Sequence, residues 1–553
     1  MPYDQAASMT VTAHSRGPLG TWLGDASDLA DDASSIASLL GRVHLPLYVV
    51  EHQGRVVLTP AGEARFGGRD DGALDLRGII PASPLEHLGD PSFAREHGAR
   101  FNLVGGAMAG GIASVAMVEA FAKAGMLAFF GAAGLALAEV EHAIAGLSTR
   151  LLDRPWGSNL IHSPYEPKLE EAVVDLYLRH GVRTVSASAY LDLTLPLLRY
   201  RYTGIAADGQ GRVHAPNRVV AKVSRAEVAR KFFAPPEAKW LRALVESGAL
   251  TSAEAELAAL LPVATDLTAE ADSGGHTDNR PALTLVPSMI ALRDEVARTH
   301  PAAASIRVGA AGGIGTPHAA AAAFAMGAAY VVTGTINQAC IESGTSDAVR
   351  ARLAEAGEAD VTMAPAADMF EMGVELQVLR RGTLFPMRAR KLWELYRAHP
   401  SLDAIPQAER ESLERTIFRK PLQQVWTDTA SFWTDRDPEQ VAKAQRDPKH
   451  KMALCFRAYL GQASRWANRG LTEREPDFQV WCGPAIGGFN AWTAGTVFAH
   501  PSERRVVPIS LSLLHGAAVL TRLSALRTQG VHVAADSLDL RPRPTAQLEE
   551  LCL

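Results

Sequence analysis

From Phe101 onward, short apolar runs alternate eight times with helix-patterned stretches, over about 240 residues, the usual size of a closed (β/α)₈ barrel. The runs are FNLVGG from Phe101, MLAFFG from Met126, PWGSNL from Pro155, VRTVSAS from Val182, RVVAKVS from Arg218, PVATDLTAEAD from Pro262, IRVGAAGG from Ile306 and AYVVTGT from Ala329. Segments such as VEAFAKAG, LALAEVEHAIAGL and PKLEEAVVDLYLRHG supply the helices between them. A doubly wound open sheet gives the same alternation. The count of eight, and the glycines closing several runs, favour an α/β TIM (β/α)8 barrel over residues 96–346. The sixth run is the least regular, because acidic residues and Thr interrupt it.

Three further regions flank the barrel. Residues 1–95 read as an N-terminal appendage containing a hairpin, LYVVEHQGRVVLT, with His52-Gln53-Gly54 at its turn. Residues 347–470 read as an added helical subdomain, too long for a loop and anchored by Trp393, Trp426, Trp433 and Trp466. Residues 471–553 form a glycine-rich C-terminal segment with one long helix, expected to pack on the barrel and to end in a tail, RPRPTAQLEELCL. A net charge of −5 gives no electrostatic case for nucleic acid or for an anionic membrane. The four cysteines, Cys340, Cys455, Cys482 and Cys552, are scattered without a CxxC pair, which argues against zinc or a disulfide framework and suits a reducing cytosol. The first residues lack a basic stretch followed by an apolar core, and Gly105 to Ala138 is too interrupted for a membrane span. A cytoplasmic location, with neither nucleic acid nor membrane as partner, is therefore expected.

A barrel of this kind builds its site at the C-terminal ends of its strands, and polar or glycine features recur there. AAGGIGTP and TGT would set bare backbone N–H groups side by side, where glycine allows a phosphate to approach and a following helix adds its dipole. Tight turns alone would also account for them. Lys222 closes the fifth strand, where it could face an anionic ligand or carry its head to solvent. His276, in DSGGHTDNRP, could donate a proton or polarise a carbonyl; it could equally order its loop by bonding Asp272 or Asp278. Asn159 could bond a ligand's ring edge or cap a turn, with His162 and Ser163 just beyond. Cys340 could be a nucleophile, but no basic neighbour in sequence activates it, and packing is the simpler role. Gln338 and Glu342 read as helix-face residues that could also touch a bound cofactor.

The motifs GGAMAGGIAS, PWGSNLIHSPYEP, VVAKVSR, EADSGGHTDNRP, AAGGIGTP and TGTINQACIES together resemble the nitronate monooxygenase and FMN-dependent enoyl reductase superfamily. The likeness is strongest to its PfaD-type branch, trans-acting enoyl reductases of polyketide and polyunsaturated fatty acid synthases, and runs from about Phe101 to the glycine-rich C-terminal segment. The resemblance implies FMN as cofactor, NADPH as usual reductant, and an enoyl thioester on an acyl carrier protein as substrate; it also allows a homodimer. It implies that Gly312, Gly313, Gly334 and Thr335 bind phosphate. Gly106, Ala107 and Met108 would lie over the flavin, with Asn159, Lys222 and Gly275 around its ring. His276 would polarise the thioester or supply a proton, and Lys222 would stabilise the reduced flavin. The sequence departs from the pattern after GGH, where TDNRP follows, so nothing beyond His276 carries over. A nitronate oxidase, a non-catalytic assembly subunit, or a flavin-free barrel for phosphorylated sugars or nucleotides are the alternatives.

Overall fold

In the computed structural model, residues 12–13, 17–67, 72–164, 166–533 and 538–552 are described. Eight strands close a barrel: β1 (Leu103–Gly105), β2 (Leu127–Phe130), β3 (Gly157–Ile161), β4 (Thr184–Ser188), β5 (Arg218–Val223), β6 (Asp266–Glu270), β7 (Arg307–Ala311) and β8 (Val331–Thr333). Each pairs in parallel with its neighbour in sequence, and β8 pairs with β1. All eight apolar runs contribute one strand.

β6 forms although charge interrupts its pattern, because both acids find cations. Fully buried Asp266, at its start, accepts from Arg307 Nε of β7 at 2.5 Å and lies 2.8 Å from His97 Nε2. Glu270, at its end, accepts from Lys222 Nζ of β5 at 2.7 Å. Between them Leu267 and Ala269 are fully buried, while the Thr268 hydroxyl bonds the Tyr330 hydroxyl at 2.8 Å. Tyr330 stacks on Phe93 at 4.1 Å, and these two rings with Val104, Leu127, Phe129 and Val220 form a separate apolar cluster. Phe93 belongs to the short helix Pro91–His97, which precedes β1.

The appendage is a five-stranded antiparallel sheet plus a helix. Its hairpin pairs Leu47–His52 with Arg55–Thr59. The two turn residues, Gln53 and Gly54, both have positive φ (52° and 73°), as a two-residue type I′ turn demands.

Helix α1 (Pro317–Ala325) follows β7, α2 (Pro448–Arg469) crosses the added subdomain, and α3 (Val506–Thr528) lies near the C-terminus. Among the described residues α3 is the one helix long and apolar enough to cross a membrane by length and composition. It is mostly buried, packing on α1 and on the appendage. Its buried Arg522 donates to the carbonyls of Arg42 and Leu45 at 2.7 and 2.9 Å.

One expectation gains a feature and another needs correction. The region 347–470 also contains an antiparallel strand pair, Val361–Pro365 with Glu375–Leu379. The final residues are more than a tail, because helix Thr545–Cys552 packs on α3 through buried Leu548, and Leu551 O bonds His44 Nδ1 at 3.0 Å. The added region has its own core, in which Phe370, Leu392, Phe418, Phe456 and Tyr459 are buried and Trp393, Trp426 and Trp466 pack against it.

Candidate active site

A cavity of about 900 Å³ opens where the barrel strands end, roofed by the added region. Gly106, Ala107, Met108, Asn159, Lys222, Gly275, His276, Gly312, Gly313, Gly334 and Thr335 all line it, as do His162, Ser163 and Gln338. Cys340 and Glu342 do not. Cys340 is fully buried, its thiol donates to Ile336 O at 3.3 Å, and burial pushes its pKa far up, which removes the nucleophile reading. Glu342 accepts from the Val506 backbone N–H at 3.2 Å, and burial raises its pKa.

The wall between β7 and β8 is shaped for an anion. Gly312 and Gly313 have consecutive positive φ values of 86° and 74°. A Cβ on Gly312 would sit 2.6 Å from the Ala271 carbonyl carbon, so this turn can pass the end of β6 only as glycine. A Cβ on Gly313 or Gly334 would meet nothing within 4 Å, so both backbones face open space. Thr316 caps α1 by accepting from the Ala319 N–H at 3.3 Å, and the helix start adds its dipole to the same wall. Adjacent bare backbone and a helix start of nine residues fit a phosphate. Thr335 Oγ1 accepts from the Gly483 N–H at 3.1 Å, which ties the C-terminal segment to the β8 turn.

Lys222 does not stand free in the cavity: its side chain is a quarter exposed, and its ammonium is held by Glu270. Lys222 lies in register with Thr268, two residues before Glu270, so the three share the inner face of adjacent strands. Buried Asn159 donates its amide to Ser186 O at 3.1 Å and Ser188 Oγ at 3.3 Å. Its amide oxygen has no hydrogen-bond partner among the described residues, which leaves it for a ligand's donor. His162 stacks on Tyr190 at 5.3 Å, and Ser163 Oγ bonds back to Ile161 O at 3.5 Å.

His276 departs from both anticipated partners. Asp272 accepts from Gln377 Nε2 at 2.7 Å, and Asp278 accepts from Arg225 and Ser224. His276 Nε2 instead lies 3.1 Å from Asp368 Oδ1. The contact exists because Gly275–His276 forms a short strand pairing with Glu375–Leu379 of the added region, His276 opposite Leu376. Gln377 also donates to Ser273 O at 2.8 Å, so the glycine loop is bolted to that strand. Burial pushes the imidazole pKa down, but the charge and hydrogen bond of Asp368 outweigh it and raise the pKa above the ordinary value. The carboxyl of Asp368, raised by burial and lowered more by His276, ends below its usual range.

Sequence reasoning missed Glu270 and Asp368. Glu270 was within reach of it, since a Lys and a Glu ending adjacent strands on the inner face should pair. Asp368 was not, because it meets His276 only through a strand pairing about a hundred residues away in the chain.

Comparison with known proteins agrees with this architecture. The family model described as nitronate monooxygenase matches residues 98–392, and that of the inserted helical domain of [acyl-carrier-protein] S-malonyltransferase matches 399–478. The chain is 48% identical over 456 residues to one of the polyunsaturated fatty acid synthase subunits of Thraustochytrium sp., covering 81% of this chain and 30% of that protein. It is 42% identical over 447 residues to the polyketide biosynthesis protein PksE of Bacillus subtilis, covering 81% and 58%. The chain thus spans well under two thirds of these relatives' length. The enoyl reductase domain of MlnA, from the macrolactin biosynthesis cluster of Bacillus amyloliquefaciens, superposes with a TM-score of 0.77 at 39% identity, covering 80% of this chain and all of that one. With more than half its length matched to the family model, and a solved enoyl reductase domain matched throughout, this chain belongs to the nitronate monooxygenase family, in its PfaD-type enoyl reductase branch.

Proposed function

We propose that the protein is an FMN-dependent, NAD(P)H-driven enoyl reductase that acts in trans on α,β-unsaturated acyl thioesters carried by an acyl carrier protein, in polyketide or polyunsaturated fatty acid biosynthesis. The observation that carries this reading is a single cavity joining an anion-shaped glycine wall to a histidine–carboxylate pair and a lysine–carboxylate pair. The synthase components among its relatives support a carrier-bound substrate. The helical insert shared with a malonyltransferase that acts on acyl carrier protein supports it further.

In this reading Gly312, Gly313, Gly334 and Thr335 would hold the phosphate of FMN. Gly106, Ala107, Met108, Asn159, Lys222 and Gly275 would surround its ring. When bound, the flavin supplies hydride transfer from the nicotinamide to the enoyl carbon. The chain's residues supply position and charge. Lys222, steadied by Glu270, keeps a cation at the end of β5, where negative charge is stabilised. His276, its protonated form favoured by Asp368 beside Nε2, has Nδ1 left to face the substrate, since that atom has no protein partner among the described residues. It donates to the thioester oxygen or to the α-carbon as charge builds there.

Anaerobic stopped-flow absorbance tests the reading. Bleaching of bound flavin by NADPH and rapid recovery on adding an enoyl thioester is the expected result. Recovery with oxygen alone would favour a nitronate-type oxidase, and a protein that takes up no flavin would refute the proposal.

A further inference from the structure

Among the described residues, five arginines line the cavity, and three of them have carboxylate partners. Arg225 pairs with Asp278 at 2.9 Å, Arg457 with Glu371 at 3.2 Å, and Arg436 with Glu166. The other two, Arg465 and Arg469, are exposed on α2 and have no hydrogen bond, ion pair or ring contact among the described residues. Four residues apart on one helix, they stand on the same face with Cβ atoms about 6 Å apart, a spacing at which like charges repel. Among the described residues no carboxylate forms an ion pair with either arginine to offset that repulsion. The face is firmly placed: between the two arginines, Asn468 Nδ2 donates to Gly110 O at 3.4 Å, beside the β1 loop, and Ala467 O accepts from Ser346 Oγ at 2.6 Å.

We propose that Arg465 and Arg469 form a phosphate clamp at the cavity mouth, taking the phosphodiester of the 4′-phosphopantetheine arm that carries the acyl group. The inference rests on the enoyl reductase reading above and adds to it a recognition site for the arm. Two planar guanidinium groups one turn apart can each offer paired N–H donors to phosphate oxygens. The clamp stands on the helix of the added region, apart from the glycine wall of β7 and β8 that suits the cofactor's phosphate. A phosphate at the mouth leaves the thioester end of the arm to enter. The 2′-phosphate of NADPH has the same chemistry, so the test separates the two.

The test uses the full flavin-loaded chain, as wild type and as R465Q/R469Q. One enoyl group is offered as its 4′-phosphopantetheine thioester and as its pantetheine thioester, which differ only in the phosphate. We expect the wild type to favour the phosphorylated donor about tenfold or more in kcat/KM, through KM. The variant should lose that preference, keep its rate on the pantetheine thioester, and bind free 4′-phosphopantetheine at least tenfold more weakly by calorimetry. R465K/R469K should keep part of the preference, since lysine retains charge without the fork. Equal treatment of both donors by the wild type, or an equal loss on both in the variant, overturns the clamp. A loss confined to reduction by NADPH, with NADH unaffected, assigns the arginines to the reductant and also overturns it. A wild type that turns over neither donor refutes enoyl reduction itself, while the calorimetry still decides whether the arginines bind the arm.

Discussion

Replacing Asp368 with Asn keeps the side chain's shape and an oxygen near His276 Nε2, but removes the charge. Burial and the Lys222 cation both work against an imidazolium, and the Asp368 charge is the largest influence opposing them. Its removal therefore lowers the His276 pKa, and the protonated fraction falls at any pH above it. A hydrogen bond to a charged group is worth about 1.5–3 kcal/mol. Asp368 is 46% exposed and His276 32% exposed, so solvent screening brings this pair below that range, to about 1 kcal/mol. That corresponds to about a fivefold slower reoxidation of flavin by the enoyl thioester on the alkaline side of the profile. The alkaline limb should move to lower pH, and the acid plateau should stay within about twofold, because His276 is protonated there in both proteins. Reduction by NADPH, which does not use this proton, should be unchanged. Stopped-flow traces of the two half-reactions at several pH values measure all of this. Identical profiles for variant and wild type would refute proton donation by His276, and a loss shared equally by both half-reactions would indicate structural damage.

Three other outcomes follow from the geometry. Gly313→Ala adds only the strain of an alanine at φ 74°, about 1–2 kcal/mol, and should weaken flavin retention while the fold survives; Gly312→Ala also collides with the Ala271 backbone and should cost both, as read by flavin content and thermal melting. Asp266→Asn leaves Arg307 buried without its counter-charge and should destabilise the protein by about 3 kcal/mol or more in urea unfolding; a cost below about 1 kcal/mol would mean that water reaches this end of the barrel. The Arg225 hydrogen bond lowers the Asp278 carboxyl to about 2, so its contribution is present above the ordinary carboxylate pKa and is lost as pH falls through 2. Arg225→Gln should remove about 1 kcal/mol at neutral pH, after discounting for the 48% exposure of Arg225, and should flatten the acid limb of stability between about pH 4 and 2.

The barrel was legible because its signal is local and repeated. Each strand is a short apolar run and each helix restores a longer period, so one irregular member such as β6 does not obscure the other seven. The glycines at Gly312, Gly313 and Gly334 were legible for the same reason, since a turn from strand to helix declares itself within a few residues. The strand pair 361–379 was hidden because each strand is only five residues long and lies in a stretch dominated by helices. The last helix was hidden because only Leu548 of its eight residues is described as fully buried, too little to set a periodicity.

His276 shows why the site was harder to read than the scaffold. The GGH loop alone would leave an imidazole on a flexible turn, with two nearby aspartates as candidate partners. The fold gives both aspartates other work and turns the loop into a strand on a sheet that the barrel does not own. His276 is thereby oriented by Gly275 pairing with Gln377, and its pKa is raised by Asp368, both partners supplied by the added region. That region is consequently more than a roof. A deletion that removed the strands at 361–379 would leave the glycine wall, Lys222 and Glu270 in place on the barrel, yet His276 would lose both the backbone partner that aims it and the carboxylate that keeps its proton.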